Sequence, residues 1–163
     1  VTLFQMGSTG TKFKMDLPED DVIVSYDRRL IAQAMTNLVK NAAESVQAFA
    51  ETDDAPEDYK GLVVVSLACR DGRAVVEVLD NGAGLSKQHR SRLLEPYVTT
   101  KAKGTGLGLA IVQKVMEQHG GSLTLEDAAT ADAATHGALV RVTLPLTEDG
   151  PQAKTEPALE HNL

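Results

Sequence analysis

Residues 27–49 constrain the chain more than any other stretch. Ile31, Ala34, Met35, Leu38, Val39, Ala42, Val46 and Phe49 recur at steps of three and four, and at ~100° per residue they cover one side of a helix. Gln33, Asn37, Lys40, Asn41 and Glu44 fall on the other side, with Asn41 at the border beside Ala34 and Leu38. Asp27 reads as the N-cap. A helix this long with one apolar face must lay that face on another layer.

That layer is legible as strands. Phe13, Met15 and Leu17 alternate with Lys12, Lys14 and Asp16, a half-buried strand ended by Pro18. Val22-Ile23-Val24 reads as a second short strand. Residues 62–68 and 74–79 are strand-like runs joined by Arg70-Asp71-Gly72-Arg73, a hairpin signal because Asp-Gly tolerates positive φ. The acidic stretch 51–60 between them and the first helix reads as a solvated loop. Residues 87–94 suit a short helix capped by Ser86 and stopped by Pro96, and 97–105 look irregular. A second helix over 107–119 (Leu109, Ile111, Val112, Val115, Met116) ends at Gly120-Gly121. His119 in its last turn suits the helix dipole as a cation. Residues 123–125 and 139–144 are strands separated by a loop at 126–136, and the polar tail past Pro145 is expected to be flexible. Mixed helices and hairpin-linked strands predict an antiparallel-rich α+β sandwich of sheet on helices.

The 163 residues fit one domain, and 16 Lys+Arg against 23 Asp+Glu give a net charge of −7. That balance argues against a nucleic-acid or membrane-surface binder, since both partners select for positive charge. The single cysteine, Cys69, excludes an intrachain disulfide and reads as a packed thiol. No apolar run approaches membrane-spanning length, and the start lacks the pattern of a signal peptide. The chain is expected to be soluble and cytoplasmic. Beginning on Val1, it reads as a piece of something longer.

Three constellations carry chemistry. Asn37 and Asn41 stand four apart, so both point the same way. An amide oxygen is a good ligand for Mg²⁺, which shares its shell with water and nucleotide phosphates, although an Asn pair on a helix is ordinarily solvated surface. Asp80-Asn81-Gly82-Ala83-Gly84 follows a strand. A carboxylate there can accept a hydrogen bond from an exocyclic amine such as adenine N6, and glycines let a planar ring approach the backbone, although Asp-Asn-Gly is also common turn chemistry. Gly104-Thr105-Gly106-Leu107-Gly108 opens the second helix, where exposed amides bind phosphate. It is neither a Walker loop nor a dinucleotide fingerprint, because no Gly-Lys-Ser/Thr follows and the glycine spacing differs. Between the glycine clusters, residues 85–103 carry Lys87, Arg90, Arg92, Lys101 and Lys103 against Glu95 alone, a basic segment suited to close over a polyanion.

Taken in order, these residues resemble the GHKL ATP-binding superfamily, specifically the catalytic and ATP-binding domain of bacterial sensor histidine kinases. Asn37-Leu38-Val39-Lys40-Asn41-Ala42 looks like the N box and Asp80-Asn81-Gly82-Ala83-Gly84-Leu85 like the first glycine box. Glu95-Pro96-Tyr97-Val98-Thr99-Thr100-Lys101 looks like the F box, and Gly104-Thr105-Gly106-Leu107-Gly108-Leu109-Ala110-Ile111 like the second glycine box. The nitrogen-regulation class is the most similar. The resemblance covers about residues 1–146 and implies a Bergerat-type two-layer α/β sandwich with a mixed, mostly antiparallel sheet, followed by a tail at 147–163.

It further implies ATP and Mg²⁺ as cofactors, with Asn41 on the metal and Asp80 reading adenine. Gly82, Gly84 and Leu85 would lie against the nucleotide, and Asn37, Tyr97, Thr100, Lys101, Gly104, Thr105, Gly106, Leu107, Gly108 and Leu109 would line its phosphate side. Thr143 would back the adenine pocket, and Asn37, Asn41 and Lys101 would carry catalysis. Two places depart from the pattern: Tyr97 stands where Phe is usual, and Glu44-Ser45 where many kinases have Lys and an aromatic.

Such kinases pass the γ-phosphoryl group of ATP to a histidine on a separate dimerisation and phosphoacceptor domain, which serves a response regulator. None of His89, His119, His136 or His161 has that acceptor setting. The chain is therefore expected to be the catalytic part alone and monomeric by itself, without nucleic-acid or direct membrane contact. The competing reading is a module of the same superfamily that gates conformation by ATP binding or hydrolysis. The hydrolysing branches place Glu four residues before the metal Asn, and Asn37 stands there instead, unable to act as a base.

Overall fold

The computed structural model describes residues 2–5, 10–85, 106–128 and 137–147, the first group through its backbone alone. The long amphipathic stretch forms α1 (Arg28–Ala50), with the Asp27 carboxylate accepting from Arg29 N and Leu30 N. These two amides hold the Asp27 carboxyl below its ordinary pKa. Ala34, Leu38, Ala42 and Val46 are the buried stripe of α1, as the periodicity requires. The second helix, α2 (Gly108–Gln118), buries Val112, Val115 and Met116. It ends in a Schellman motif, with Gly120 N donating to Glu117 O, Gly121 N donating to Met116 O, and Gly120 left-handed at φ +67°.

The strands are β1 (Thr2–Gln5), β2 (Lys12–Asp16), β3 (Leu62–Arg70), β4 (Arg73–Asp80), β5 (Ser122–Asp127) and β6 (Ala138–Pro145). They form one sheet in the order β1-β2-β3-β4-β6-β5. Only β2 and β3 run parallel, joined by α1 as the crossover; every other pair is antiparallel. Val63, Val78, Val142 and Leu144 meet the buried faces of both helices in one core. The β3–β4 turn has Asp71 at φ +51° and Gly72 at φ +70°, the paired left-handed conformation of a two-residue hairpin. Cys69 is half-buried and unpaired with any other cysteine.

Several expectations from the sequence need correction. Val22-Ile23-Val24 is not a strand. It lies in the crossover, β2 already has a neighbour on each side, and among the described residues the segment's partner is Thr147, whose N and Oγ1 donate to Ile23 O at 3.3 Å and 3.2 Å. Val24 packs on the core and Val22 is half-buried, while Ile23 stays exposed. β1, an edge strand of four residues, was not anticipated. β5 continues through Glu126 and Asp127, which had been assigned to a loop; Arg141 draws the Glu126 carboxylate onto the sheet at 2.6 Å. His119 meets the last turn of its helix through Nδ1, 2.7 Å from Val115 O, and also has a partner the sequence did not suggest: its Nε2 accepts the Asp27 backbone N–H at 2.9 Å. The short helix at 87–94, the segment 97–105, residues 129–136 and the tail from 148 lie outside the described residues.

Candidate functional site

The polar residues gather where β4 ends. Asp80 is its last residue and only 5% exposed. Its Oδ1 accepts from Gly82 N at 2.9 Å and from Ser45 Oγ at 3.1 Å, so a buried carboxylate is oriented from two sides. Asn81 closes the strand ends. Its Oδ1 accepts from Leu62 N at 2.7 Å, its Nδ2 donates to Lys60 O at 2.9 Å, and its own N donates to Leu62 O at 3.2 Å. The Tyr59 hydroxyl, 3.0 Å from Asn81 O and 3.1 Å from Asn81 Oδ1, donates to the same residue while its ring stacks edge-on against Phe49. Asn81 is thus a structural clamp, and the chemistry of this stretch belongs to Asp80 and the glycines.

Gly82 lies directly on α1. A Cβ there would strike Ser45 Oγ and stand 2.6 Å from the Ser45 carbonyl carbon. Gly84 turns left-handed at φ +75°, next to Gly137 O. Gly137, the residue before β6, lies so close to the Asp80 carbonyl that no side chain fits. Across the cleft, Asn41 faces the first turn of α2: a Cβ on Gly108 would be 3.3 Å from Asn41 Nδ2. The Leu107 side chain makes no capping hydrogen bond, and the positive end of the α2 dipole lies beside Asn41. Asn41 and Ser45 are one turn of α1 apart, a rise of ~6 Å. A single helical turn therefore links the buried acid to the start of α2.

Asp80, Gly82, Gly84, Asn41 and Gly108 are brought together, with Gly106 at φ +67° leading into α2. Asn37 is half-buried one turn before Asn41; Leu85 and Leu107 are half-buried, and Leu109 packs against the core. Tyr97, Thr100, Lys101, Gly104 and Thr105 lie outside the described residues. Thr143 does not join the site. It pairs with Val75, five strand positions from Asp80 and so about 16 Å away. Its hydroxyl is instead 2.8 Å from Ser122 Oγ. Strand alternation turns it to the sheet face opposite Val142 and Leu144, which pack under the helices. Two residues were missed as site members. Ser45 was readable as one turn from Asn41 on the same helix side, whereas Gly137 carried no local signal. Glu44 is turned to Lys40, 3.8 Å away.

A single sheet with helices on one face, its polar cleft between a strand end and a helix start, is the two-layer architecture of nucleotide-binding sandwiches. This chain belongs to the family described as Histidine kinase-, DNA gyrase B-, and HSP90-like ATPase, which it matches over residues 26–148. It is 43% identical over 156 residues to nitrogen regulation protein NtrY of Azorhizobium caulinodans, covering 94% of this chain and 18% of that protein. It is 33% identical over 131 residues to sporulation kinase D of Bacillus subtilis, covering 80% and 23%. The mycobacterial sensor histidine kinase MprB superposes with a TM-score of 0.66 at 30% identity, over 82% of each chain. The chain thus spans less than a quarter of these two curated relatives and corresponds to the ATP-binding catalytic domain of sensor histidine kinases. Its fold is the Bergerat-type sandwich, and the likeness to NtrY supports the nitrogen-regulation class. Among the described residues no helix is long and apolar enough to cross a membrane.

The pKa of Tyr59 is pushed up to about 12, first by burial and then by the nearby Asp80 charge. Its neutral form is favoured by folding, so its contribution is fully present below its unfolded pKa of about 10. It is lost as pH rises from there toward 12. Denaturant melts across that window should show stability falling in the wild type and falling less in Tyr59→Phe.

Proposed function

We propose that this domain binds ATP with Mg²⁺ in the cleft between α1, the turn after β4 and the start of α2. It then transfers the γ-phosphoryl group to a histidine on a separate phosphoacceptor domain of its parent kinase. The carrying observation is the buried Asp80 carboxylate, fixed by Gly82 N and Ser45 Oγ one helical turn from Asn41 and the α2 amides. Asp80 would accept the N6 amine of adenine, Gly82 and Gly84 would leave room for the ring, and Gly106, Leu107, Gly108 and Leu109 would present backbone to the phosphates. Asn41, with Asn37 beside it, would hold Mg²⁺ through an amide oxygen. Among the described residues no group of three His, Cys, Asp or Glu could cage a metal, which suits an ion shared with phosphate. When bound, Mg²⁺ neutralises charge on the phosphate oxygens.

Tyr97, Thr100, Lys101, Gly104, Thr105 and the basic residues of 85–103 would complete the phosphate side. Phosphoryl transfer needs positioning and charge neutralisation more than covalent chemistry: the acceptor imidazole nitrogen bonds to phosphorus as the bond to the ADP oxygen breaks. Asn37, where hydrolysing relatives place a glutamate, favours a protein acceptor over water. We assign the working domain to residues 1–146 with a tail at 147–163, acting in the cytoplasm upstream of the parent's response regulator.

Calorimetry should give micromolar affinity for ATP, about −8 kcal/mol, weakened by chelating Mg²⁺. Asn41→Ala should bind about tenfold or more weakly and lose the difference between Mg²⁺ and chelator. Mixing the domain with the parent's isolated phosphoacceptor domain and γ-labelled ATP should put acid-labile label on that domain. Free phosphate without labelled protein would instead support an ATP-gated module.

A further inference from the structure

Asp27 N–H is the backbone donor that a Glu or Gln at the third helical position would take in a capping box. That position is Leu30, so α1 cannot satisfy it from its own first turn. The acceptor comes from the other helix: His119 Nε2, at 2.9 Å. The second ring nitrogen, Nδ1, lies 2.7 Å from Val115 O. A carbonyl can only accept, so Nδ1 must carry the proton, and Nε2 must offer its lone pair to the Asp27 N–H. Only the neutral ring protonated at Nδ1 makes both bonds. A proton on Nε2 would set two N–H groups head to head and break the link between the helices.

We infer that His119, as the neutral Nδ1–H imidazole, is a positioning residue that clasps the start of α1 to the end of α2 and so holds Asn41 against the opening turn of α2. From Asp27 to Asn41 α1 runs ~21 Å, and from Gly108 to His119 α2 runs ~17 Å. The two helices lie antiparallel, tied by His119 at one end and meeting at Asn41 and Gly108 at the other. Between these ends Ala34 and Leu38 of α1 and Val112, Val115 and Met116 of α2 belong to one apolar core, whose burial is non-directional and so fixes the helices' relative position less sharply than a hydrogen bond does. The end of α2 is fixed in turn on the sheet, where Arg73 Nη1 donates to Gly120 O at 3.2 Å.

The charged groups around the clasp are the Asp27 carboxylate and Arg29 from α1 and Arg73 from β4. The Arg29 and Leu30 amides both take Oδ1 of the Asp27 carboxylate, and its charge attracts a charged His119 ring, but a carboxylate cannot stand in for the lone pair that Nε2 gives the Asp27 N–H. Protonation of His119 should therefore loosen the clasp and lower nucleotide affinity.

The link to nucleotide rests on the proposed function, and the experiment separates the two. In the domain labelled with ¹⁵N-histidine at about pH 8, above the ordinary imidazole range, His119 should show a protonated Nδ1 and a bare Nε2. A proton on Nε2 overturns the clasp. His119→Gln carries a neutral carbonyl acceptor to about the reach of Nε2, and His119→Lys carries a fixed cation. At about pH 8 wild type and His119→Gln should bind ATP alike, whereas His119→Lys should bind three- to tenfold more weakly. Equal ATP affinity of His119→Lys and the wild type overturns the coupling to the site. If no form binds ATP, the nucleotide reading falls and so does the coupling, while the imidazole spectrum still decides the clasp.

Discussion

Asp80→Asn should lower ATP affinity by about 10- to 100-fold, or about 1.4–2.8 kcal/mol, with little change in melting temperature. The substitution preserves shape, and an Asn Oδ1 can still accept from Gly82 N and Ser45 Oγ, the two donors that now orient the carboxylate. What changes is the other end of the group. Nδ2 is a donor, and the exocyclic amine of adenine also donates, so two hydrogen-bond donors would confront each other in a nearly buried place. Inosine triphosphate sharpens the test because it presents a carbonyl where adenine has its amine. The wild-type preference for ATP over inosine triphosphate should shrink or reverse in Asp80→Asn. Equal affinity of variant and wild type for ATP would remove Asp80 from base recognition and leave it a structural acid.

Asp80 was legible in the sequence because it combined two readable signals, the end of an apolar strand and a glycine-rich turn. Asn41 was legible as a polar residue at the border of an apolar helical stripe, and the structure sets it against Gly108. Local patterning also located both helices and the β3–β4 hairpin, since period and turn chemistry lie within a few neighbouring residues. Non-local properties did not show in the same way. Val22-Ile23-Val24 has strand composition, yet whether it pairs depends on which strands already flank β2. Thr143 stands in a strand of the right family motif, but its register opposite Val75 takes it away from Asp80. A shift of five positions along a ladder is invisible in the residue itself. The acceptor role of His119 did not show because it depends on Asp27, 92 positions away.

Gly137→Ala should be the most damaging single methyl group that could be added near the cleft without touching nucleotide. Gly137 sits at φ +155°, and its missing Cβ would overlap the Asp80 carbonyl oxygen while standing 3.0 Å from the Asp80 carbonyl carbon and 3.1 Å from Asn81 Cα. The obstacles are backbone atoms at the end of β4, so relief requires moving the chain. Gly137 O is also bonded to Ala128 N at 3.0 Å and lies against Gly84, which blocks retreat toward β5 or the turn. Displacement would therefore pass to Asp80 and to the turn that Gly82 seats on Ser45. Overpacking and backbone strain together are worth about 3 kcal/mol, lowering the melting temperature by about 10 °C for a chain of this size. At a temperature where the variant stays folded, ATP affinity should still fall about tenfold or more, because the acid is displaced. Gly72→Ala supplies the comparison: it is left-handed at φ +70° but has no atom within 4 Å of its missing Cβ. It should cost about 1–2 kcal/mol of stability and leave ATP affinity unchanged. Parallel loss of affinity in both variants would show that destabilisation alone weakens binding, whereas loss confined to Gly137→Ala identifies the start of β6 as the backstop that holds Asp80 in place.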